Sequence, residues 1–407
     1  MSPIAPTVTG KPRIMLFAVG AGITVLPLFA AQALLPLIGP DLNFGRSSSL
    51  IAAAEVAGYA AGLFLLVPLV DVVANRRLIL MMVASASLFL FAIAVSPSAN
   101  FVLCASFLSG MSATSIQMLV PLVSSLCVPG QRGRVIGDVM VGLMLGILFS
   151  RPLASLMGGT VGWRAFYGVL AALTAALFLA FLVKLPERSP ISRSSYFDVL
   201  MSLRRVVLDY PIIGRRGTCQ GLLMISFSLF WTSVPFLLGE PPFSLKASGI
   251  ALFCFAGAGG AISAPIAGRL ADHGHSRRTT ATMHFLAACA VVGTAFIPEH
   301  AAGHRVLVLA GLAIGAFLLD FAVIGDQTLG RREINLLSQA VRGRSNAVYT
   351  GIFFLGATLG TALSGPILIH CGWLVTMGVA AASILIAALA HLSFRIDSHR
   401  RRACAAA

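Results

Sequence analysis

The stretch LVDVVANRR, Leu69 to Arg77, ends a long apolar segment and sets an aspartate five and six residues before two arginines. The same arrangement returns at LADHGHSRR, Leu270 to Arg278, an offset of 201 positions in a chain of 407 residues. A second motif behaves alike. QRGRVIGDVMVGLMLG (131 to 146) is echoed by VRGRSNAVYTGIFFLG (341 to 356), and Gly162-Trp163 by Gly372-Trp373, all at an offset of 210. Two motifs that recur in the same order, about half a chain apart, describe two homologous halves.

Composition fixes the solvent of those halves. Hydrophobic residues make up 57% and charged residues only 11%, with a mean hydropathy of +0.92, whereas a soluble domain carries roughly 25% charged residues. Long runs this apolar must pair their backbone amides internally, and they do not alternate as barrel strands do, so they are membrane helices. Twelve spans are expected: 14 to 38, 47 to 69, 78 to 98, 100 to 126, 135 to 158, 164 to 183, 217 to 238, 248 to 270, 279 to 298, 305 to 327, 343 to 369 and 373 to 394. Lys11 and Arg13 precede a first run too long for a signal-peptide core. The seven cysteines, at 104, 127, 219, 254, 289, 371 and 404, form no CxxC pair and read as small core residues.

The net charge of +15 does not indicate nucleic acid, because the arginines sit in short clusters between apolar runs and not along one polar face. Their positions give orientation. With the N-terminus inside, the inner loops, span ends and tails hold 24 of the 29 Lys and Arg residues, while the outer loops hold only Arg46, Arg164, Lys246 and Arg305. Both termini are therefore expected in the cytoplasm. The halves are expected at 1–183 and 217–394, joined by a cytoplasmic linker at 184–216 and followed by a tail at 395–407. Within the linker, Tyr196 to Leu208 could form a short amphipathic helix on the membrane surface, with Arg204 and Arg205 near anionic headgroups, or remain an unstructured tether.

AAQALLPLIGPDL, GYAAGLFLLVPLVDVVANRRLIL, RGRVIGDVMVGLMLGILFSRPL, GWRAFY, FWTSVPFLL, GRLADHG, LLDFAV and RGRSNAVY together resemble bacterial transporters of the major facilitator superfamily. The branch most like them is that of sugar and drug efflux permeases. The resemblance implies an all-α membrane fold of twelve helices in two pseudo-symmetric six-helix bundles, with a solute site between the halves. The family's loop between spans two and three has the form GxxxDRxGRR. Here Asp71 and Arg76 remain and Arg77 is added, but Val67, Val72, Ala74 and Asn75 stand at the other signature positions. The second copy keeps Gly268, Asp272, Arg277 and Arg278. A carboxylate at such a helix end can accept from amides at a neighbouring helix N-terminus. These residues, with Arg132, Arg134, Arg342 and Arg344 at the openings of spans five and eleven, are candidates for a cytoplasmic gate, and the alternative is that they only set topology.

An ionisable side chain at membrane depth is a functional candidate by default. Three stand out: Glu55 in span two, Arg151 in span five and Asp320 in span ten. Asp320, in LLDFAV, matches the branch's pattern and is the first candidate for a proton carrier, with Glu55 the second. Each has a bland alternative, a fixed partner for Asp320 and Glu55 and snorkelling for Arg151. Gln32, Ser109, Gln117, Trp231 and Thr232 complete the candidate solute cavity, which suits a lightly polar or amphipathic solute. Span five lacks the GPxxGG spacing of proton-coupled antiporters, and span four has Ser106 four residues before Gly110 where drug exporters often carry arginine.

The expected function is secondary transport of a small solute by alternating access, with export in exchange for protons as the first reading and proton-coupled uptake of a sugar or organic acid as the second. The expected partners are the solute, protons and lipid, for a monomer in the bacterial inner membrane with no cofactor and no metal. A membrane-embedded enzyme would need a catalytic constellation, and no HxxxxD, DxD, HExxH or GxSxG occurs.

Overall fold

The computed structural model describes residues 11–127, 131–187, 195–296, 304–337 and 341–406. Among them all regular structure is helical. The chain forms two compact units, Met1–Arg205 with Leu245–Phe255, and Val206–Ser244 with Ala256–Ala407.

The first unit contains α1 (Lys11–Asp41), α2 (Ser49–Leu65), α3 (Asn75–Val95), α4 (Ala99–Ala113), α5 (Ile116–Leu126), α6 (Arg132–Thr160) and α7 (Trp163–Lys184). Helix α8 (Tyr196–Asp209) begins in this unit, and α10 (Ala247–Cys254) belongs to it. The second unit holds α9 (Pro211–Gly239), α11 (Gly259–Asp272), α12 (Ser276–Phe296), α13 (Arg305–Asn335) and α14 (Arg342–Ala406). Among the described residues eleven segments are long and apolar enough to cross a membrane, and the last, Arg342–Ser393, is two spans joined at Gly372. That gives the twelve spans expected from the sequence.

The breaks have local causes. Gly372 takes φ 77 and Gly162, at the echoed position between α6 and α7, takes φ 91. A side chain at either would strain the left-handed backbone that lets the chain turn and start a new helix. The tryptophan after each glycine is anchored: Trp163 Nε1 donates to Asp41 Oδ2 at 3.0 Å and Trp373 Nε1 to the Thr294 carbonyl at 2.9 Å. Span four is not one helix but α4 and α5. Thr114 and Ser112 hydroxyls donate back to the Met111 and Leu108 carbonyls there, which compete with the helix's own bonds and bend it. Span eight is divided into α10 and α11 by a 3-10 turn at Phe255–Ala258.

Small residues set the packing in both units. Helix α1 lies so close to α6 that a Cβ on Gly142 or Gly146 would strike the backbone of Ala18 or Gly22. In the second unit a Cβ on Gly356 or Gly360 of α14 would strike Gly221 or Ile225 of α9. Gly146 and Gly356 are the same position in the two copies of the repeated motif, so the repeat encodes a recurring close approach of two helices. Lipid supplies no hydrophobic drive between helices, and such contacts gain their stability from dispersion at short range. Large apolar side chains remain on the outside, among them Leu88, Phe91 and Leu179, as expected where the solvent is hydrocarbon.

Two helices run further than their hydropathy suggests. Helix α9 starts at Pro211, not 217, and α13 continues to Asn335, not 327. Pro211 suits the first turn because it has no N–H to leave unpaired. Of the expected linker, residues 188–194 lie outside the described residues. The amphipathic segment is a helix, α8, with Val199, Leu203 and Val206 buried and Phe197, Met201, Arg204, Arg205 and Leu208 exposed. Its first residue is tied down by the Tyr196 hydroxyl, which donates to the Leu65 carbonyl at 2.6 Å. Burial pushes the pKa of that phenol up, so it stays a donor.

Candidate functional site

In the first unit the structure joins two of the expected cavity residues. Arg151 on α6 is 5% exposed, its Nε donates to Gln32 Oε1 on α1 at 3.0 Å, and its guanidinium lies 5.3 Å from the centre of the Phe29 ring. This arginine is therefore held in the helix bundle and does not snorkel. Gln117 Nε2 donates to the Tyr59 hydroxyl at 2.8 Å. Ser109 is buried on the wall of a cavity of about 10 Å³ shared with Thr24 and Thr174, roughly the volume one water needs.

Glu55 is only 1% exposed, and neither carboxyl oxygen has a hydrogen-bond partner among the described residues. A bare carboxylate in such a place would cost several kcal/mol or more, about what an uncompensated buried ion costs.

In the second unit Asp320 has a different situation. It is 5% exposed and accepts from Trp231 Nε1 at 2.6 Å, while the Trp231 ring packs against Phe230 and Phe227. Thr232, next on α9, is fully buried. The two sequence candidates Asp320 and Trp231 thus form one hydrogen-bonded pair. Trp231→Phe keeps the ring stack and removes this donor, so it is expected to lower stability by about 1.5–3 kcal/mol, the worth of a hydrogen bond to a charged group. Thermal unfolding of the purified variant checks this, and an unchanged midpoint would mean that the bond carries no net weight.

The densest chemistry in this unit is not among the sequence candidates. Arg216 on α9, 4% exposed, stands 3.4 Å from Asp326 Oδ1 and 3.3 Å from Glu333 Oε2 on α13, with Thr280 Oγ1 on α12 at 3.5 Å. Asp326 is 1% exposed, and its other oxygen is 3.8 Å from His284 Nε2 on α12. His284 is 3% exposed with neither ring nitrogen hydrogen-bonded among the described residues, and it meets the His391 ring of α14 at 5.6 Å. Tyr349 of α14 is buried nearby, its hydroxyl donating to the Gln327 carbonyl. Around this centre lie the half-exposed Arg215, Arg331 and Arg332. The buried Arg216 guanidinium thus faces two carboxylates, the Asp326 carboxylate stands between it and the His284 ring, and Arg215, Arg331 and Arg332 add positive charge at the rim.

The charged turns divide into anchored and exposed groups. Arg76 Nη2 donates to the Leu182 carbonyl of α7 at 2.6 Å. Arg77, Arg134, Arg277, Arg278 and Arg342 are exposed, and Asp71 and Arg344 are half-buried. The Arg132 side chain lies outside the described residues. Asp272 accepts from Arg332 of α13 at 2.9 Å, so the acidic residue of the second turn has its partner inside its own unit.

The sequence pattern of the Major Facilitator Superfamily matches residues 15–335 and, in a second register, 216–406. The chain belongs to the major facilitator superfamily. A curated relative described as the uncharacterized transporter YgaY of Escherichia coli O157:H7 is 34% identical over 391 residues, 96% of each chain. The probable transporter SCO4007 of Streptomyces coelicolor is 31% identical, covering 91% of this chain and 85% of that one. A probable sugar efflux transporter of Pasteurella multocida is 24% identical over 64% and 61% of the two chains. Among solved structures the nucleoside transporter NupG superposes with a TM-score of 0.73 at 13% identity, over 94% of this chain and 99% of that one, a likeness of fold. This member of the superfamily is thus a multi-pass membrane transporter of a small solute.

The ionic centre of this superfamily member is hidden in the sequence for a physical reason. Ending a span where charge begins puts Arg216 in the linker and Asp326 at the rim of span ten. In the structure Arg216 pairs with Asp326 and Glu333, and α9 and α13 continue through them. A histidine at 284 and another at 391, each inside an apolar run, are the available signal.

Proposed function

We propose that the chain is a proton-coupled exporter of a lightly polar or amphipathic solute, working by alternating access in a bacterial inner membrane with both termini in the cytoplasm. The observation that carries the proton coupling is the His284 ring, buried with neither nitrogen hydrogen-bonded among the described residues and 3.8 Å from the buried Asp326 carboxylate, in a centre completed by Arg216, Glu333 and His391. One proton taken up by His284 would give the imidazole a charged carboxylate partner in Asp326, and its release would leave that carboxylate to Arg216 alone. Glu55 adds a second place where a proton can be held or released. Asp320, bonded to Trp231, acts as an acceptor for the solute or for a proton that enters with it.

Gln32 with Arg151, and Trp231 with Asp320 and Thr232, supply polar and aromatic contacts, and Ser109 and Gln117 add weaker ones. Arginine's planar fork suits an oxygen-rich solute. The relative named a probable sugar efflux transporter favours export and a hydroxyl-bearing substrate. The turns with Asp71, Arg76 and Arg77, and Asp272, Arg277 and Arg278, serve as gating elements on the cytoplasmic side, assisted by Arg132, Arg134, Arg342 and Arg344.

Everted vesicles with an acid lumen and a quenched acridine dye test this reading. A solute added outside should release the quench only when the protein is present. Uptake by symport would instead require the solute to be loaded in the lumen. No dye response to any member of a panel of sugars, organic acids and amphipathic drugs, on either side, would sink the proton-coupled reading.

A further inference from the structure

We propose that a groove between α3 and α7 is a binding site for one anionic phospholipid. The groove has a volume of about 400 Å³ and is lined by Arg76, Arg77, Met81 and Ala84 of α3, by Phe178 and Leu182 of α7, and by Glu187 beyond it. The site shares Arg76 and Arg77 with the cytoplasmic turn of the proposed function but does not rest on that reading, because its test reads lipid retention and not transport.

The lining is sorted by depth. Arg76 and Arg77 are in the first turn of α3, where the chain enters the membrane. The side chains further along are apolar and open to the surroundings: Met81 is 50% exposed and Leu182 39%. From Arg76 to Ala84 the helix advances about 12 Å at its usual rise, which matches most of one leaflet of a hydrocarbon core roughly 30 Å thick. A charged mouth over an apolar channel of that length has the shape of a phospholipid, with the phosphate at the arginines and an acyl chain along Met81, Ala84 and Phe178. Leu179 and Val183 of α7, 61% and 83% exposed, flank the groove, so it opens onto hydrocarbon, not water.

The mouth is built to take an anion. Arg76 spends one Nη2 hydrogen on the Leu182 carbonyl, which fixes its guanidinium across the two helices, and its Nε is buried with no hydrogen-bond partner among the described residues. Arg77 is exposed beside it. Against these two positive charges the groove offers one negative charge, that of Glu187. The surplus favours a headgroup with a net negative charge. Planar guanidinium groups pair well with phosphate oxygens, and basic pockets between membrane helices are suited to acidic lipid headgroups.

The purified full-length chain, stripped of lipid in detergent, is offered phosphatidylglycerol, phosphatidylethanolamine and phosphatidylcholine in equal amounts and then measured by native mass spectrometry. One phosphatidylglycerol should be retained in preference to the other two. Arg77→Gln, on an exposed side chain, should reduce that preference about fivefold, the effect expected of one arginine at a membrane surface. Ala84→Trp, which fills the apolar channel while leaving both arginines, should also lose the lipid. Equal retention of all three lipids would overturn the proposal, and preference for phosphatidylethanolamine would overturn it in favour of an ammonium held by Glu187. Wild-type retention in Ala84→Trp or in Arg77→Gln would place the lipid elsewhere and equally overturn it.

Discussion

Asp326→Ala is expected to destabilise the second unit by about 3–5 kcal/mol, the cost of leaving a buried charge without its partner. Arg216 would keep the Thr280 hydroxyl and one carboxylate, Glu333, whose side chain is 31% exposed, and His284 would lose the one carboxylate within 4 Å of it among the described residues. The double variant Arg216→Leu with Asp326→Leu should recover much of the loss, because replacing a whole buried pair by apolar groups is often neutral or stabilising. Thermal unfolding in detergent compares the three proteins. If the single variant melts with the wild type, the pair is not the electrostatic centre of the unit.

Gly356→Leu is expected to abolish the folded protein. Its Cβ would fall inside the contact radius of the Gly221 carbonyl oxygen, and backbone on both helices leaves no flexible side chain to give way. The cost exceeds the roughly 1–3 kcal/mol typical of an overpacked core, since α9 and α14 would have to separate along their length. Gly378 lies beyond the Gly372 turn, on the second span of α14, and a methyl group added there would meet nothing within 4 Å, so Gly378→Ala should leave folding intact. Size-exclusion profiles of the two variants read the difference: a monodisperse peak for Gly378→Ala and loss of it for Gly356→Leu. Two intact peaks would mean that the close approach is not required.

Which features are legible in the sequence follows from which forces act locally. Spans are legible because hydrocarbon demands uninterrupted apolar helices. The echoed Gly-Trp turns, at Gly162 and Gly372, are legible because a left-handed glycine and its following tryptophan are adjacent in sequence. Helix α8 is legible as an amphipathic pattern. Pairings are not. Arg76 reaches a carbonyl 106 residues away and Arg332 a carboxylate 60 residues away, and nothing in either local stretch names the partner. Asp320 stands out because it interrupts an apolar run, whereas its donor Trp231 stands out only as an aromatic. Arg216 and Glu333 stay hidden when span ends are drawn at the first charge, whereas Asp326 and His284 lie inside the expected spans 305 to 327 and 279 to 298 and show only as isolated polar residues. A rule that treats charge near a span end as a possible internal pair keeps them.

The central claim is that solute movement is tied to a proton held at the centre around His284. It is tested most directly by comparing wild type and His284→Gln in sealed liposomes, reading labelled-solute exchange together with proton movement for a solute identified in the vesicle screen. Wild type is predicted to move protons in exchange for solute, and His284→Gln to exchange solute down its gradient without responding to a pH difference. Undiminished pH-driven accumulation by His284→Gln would contradict the claim.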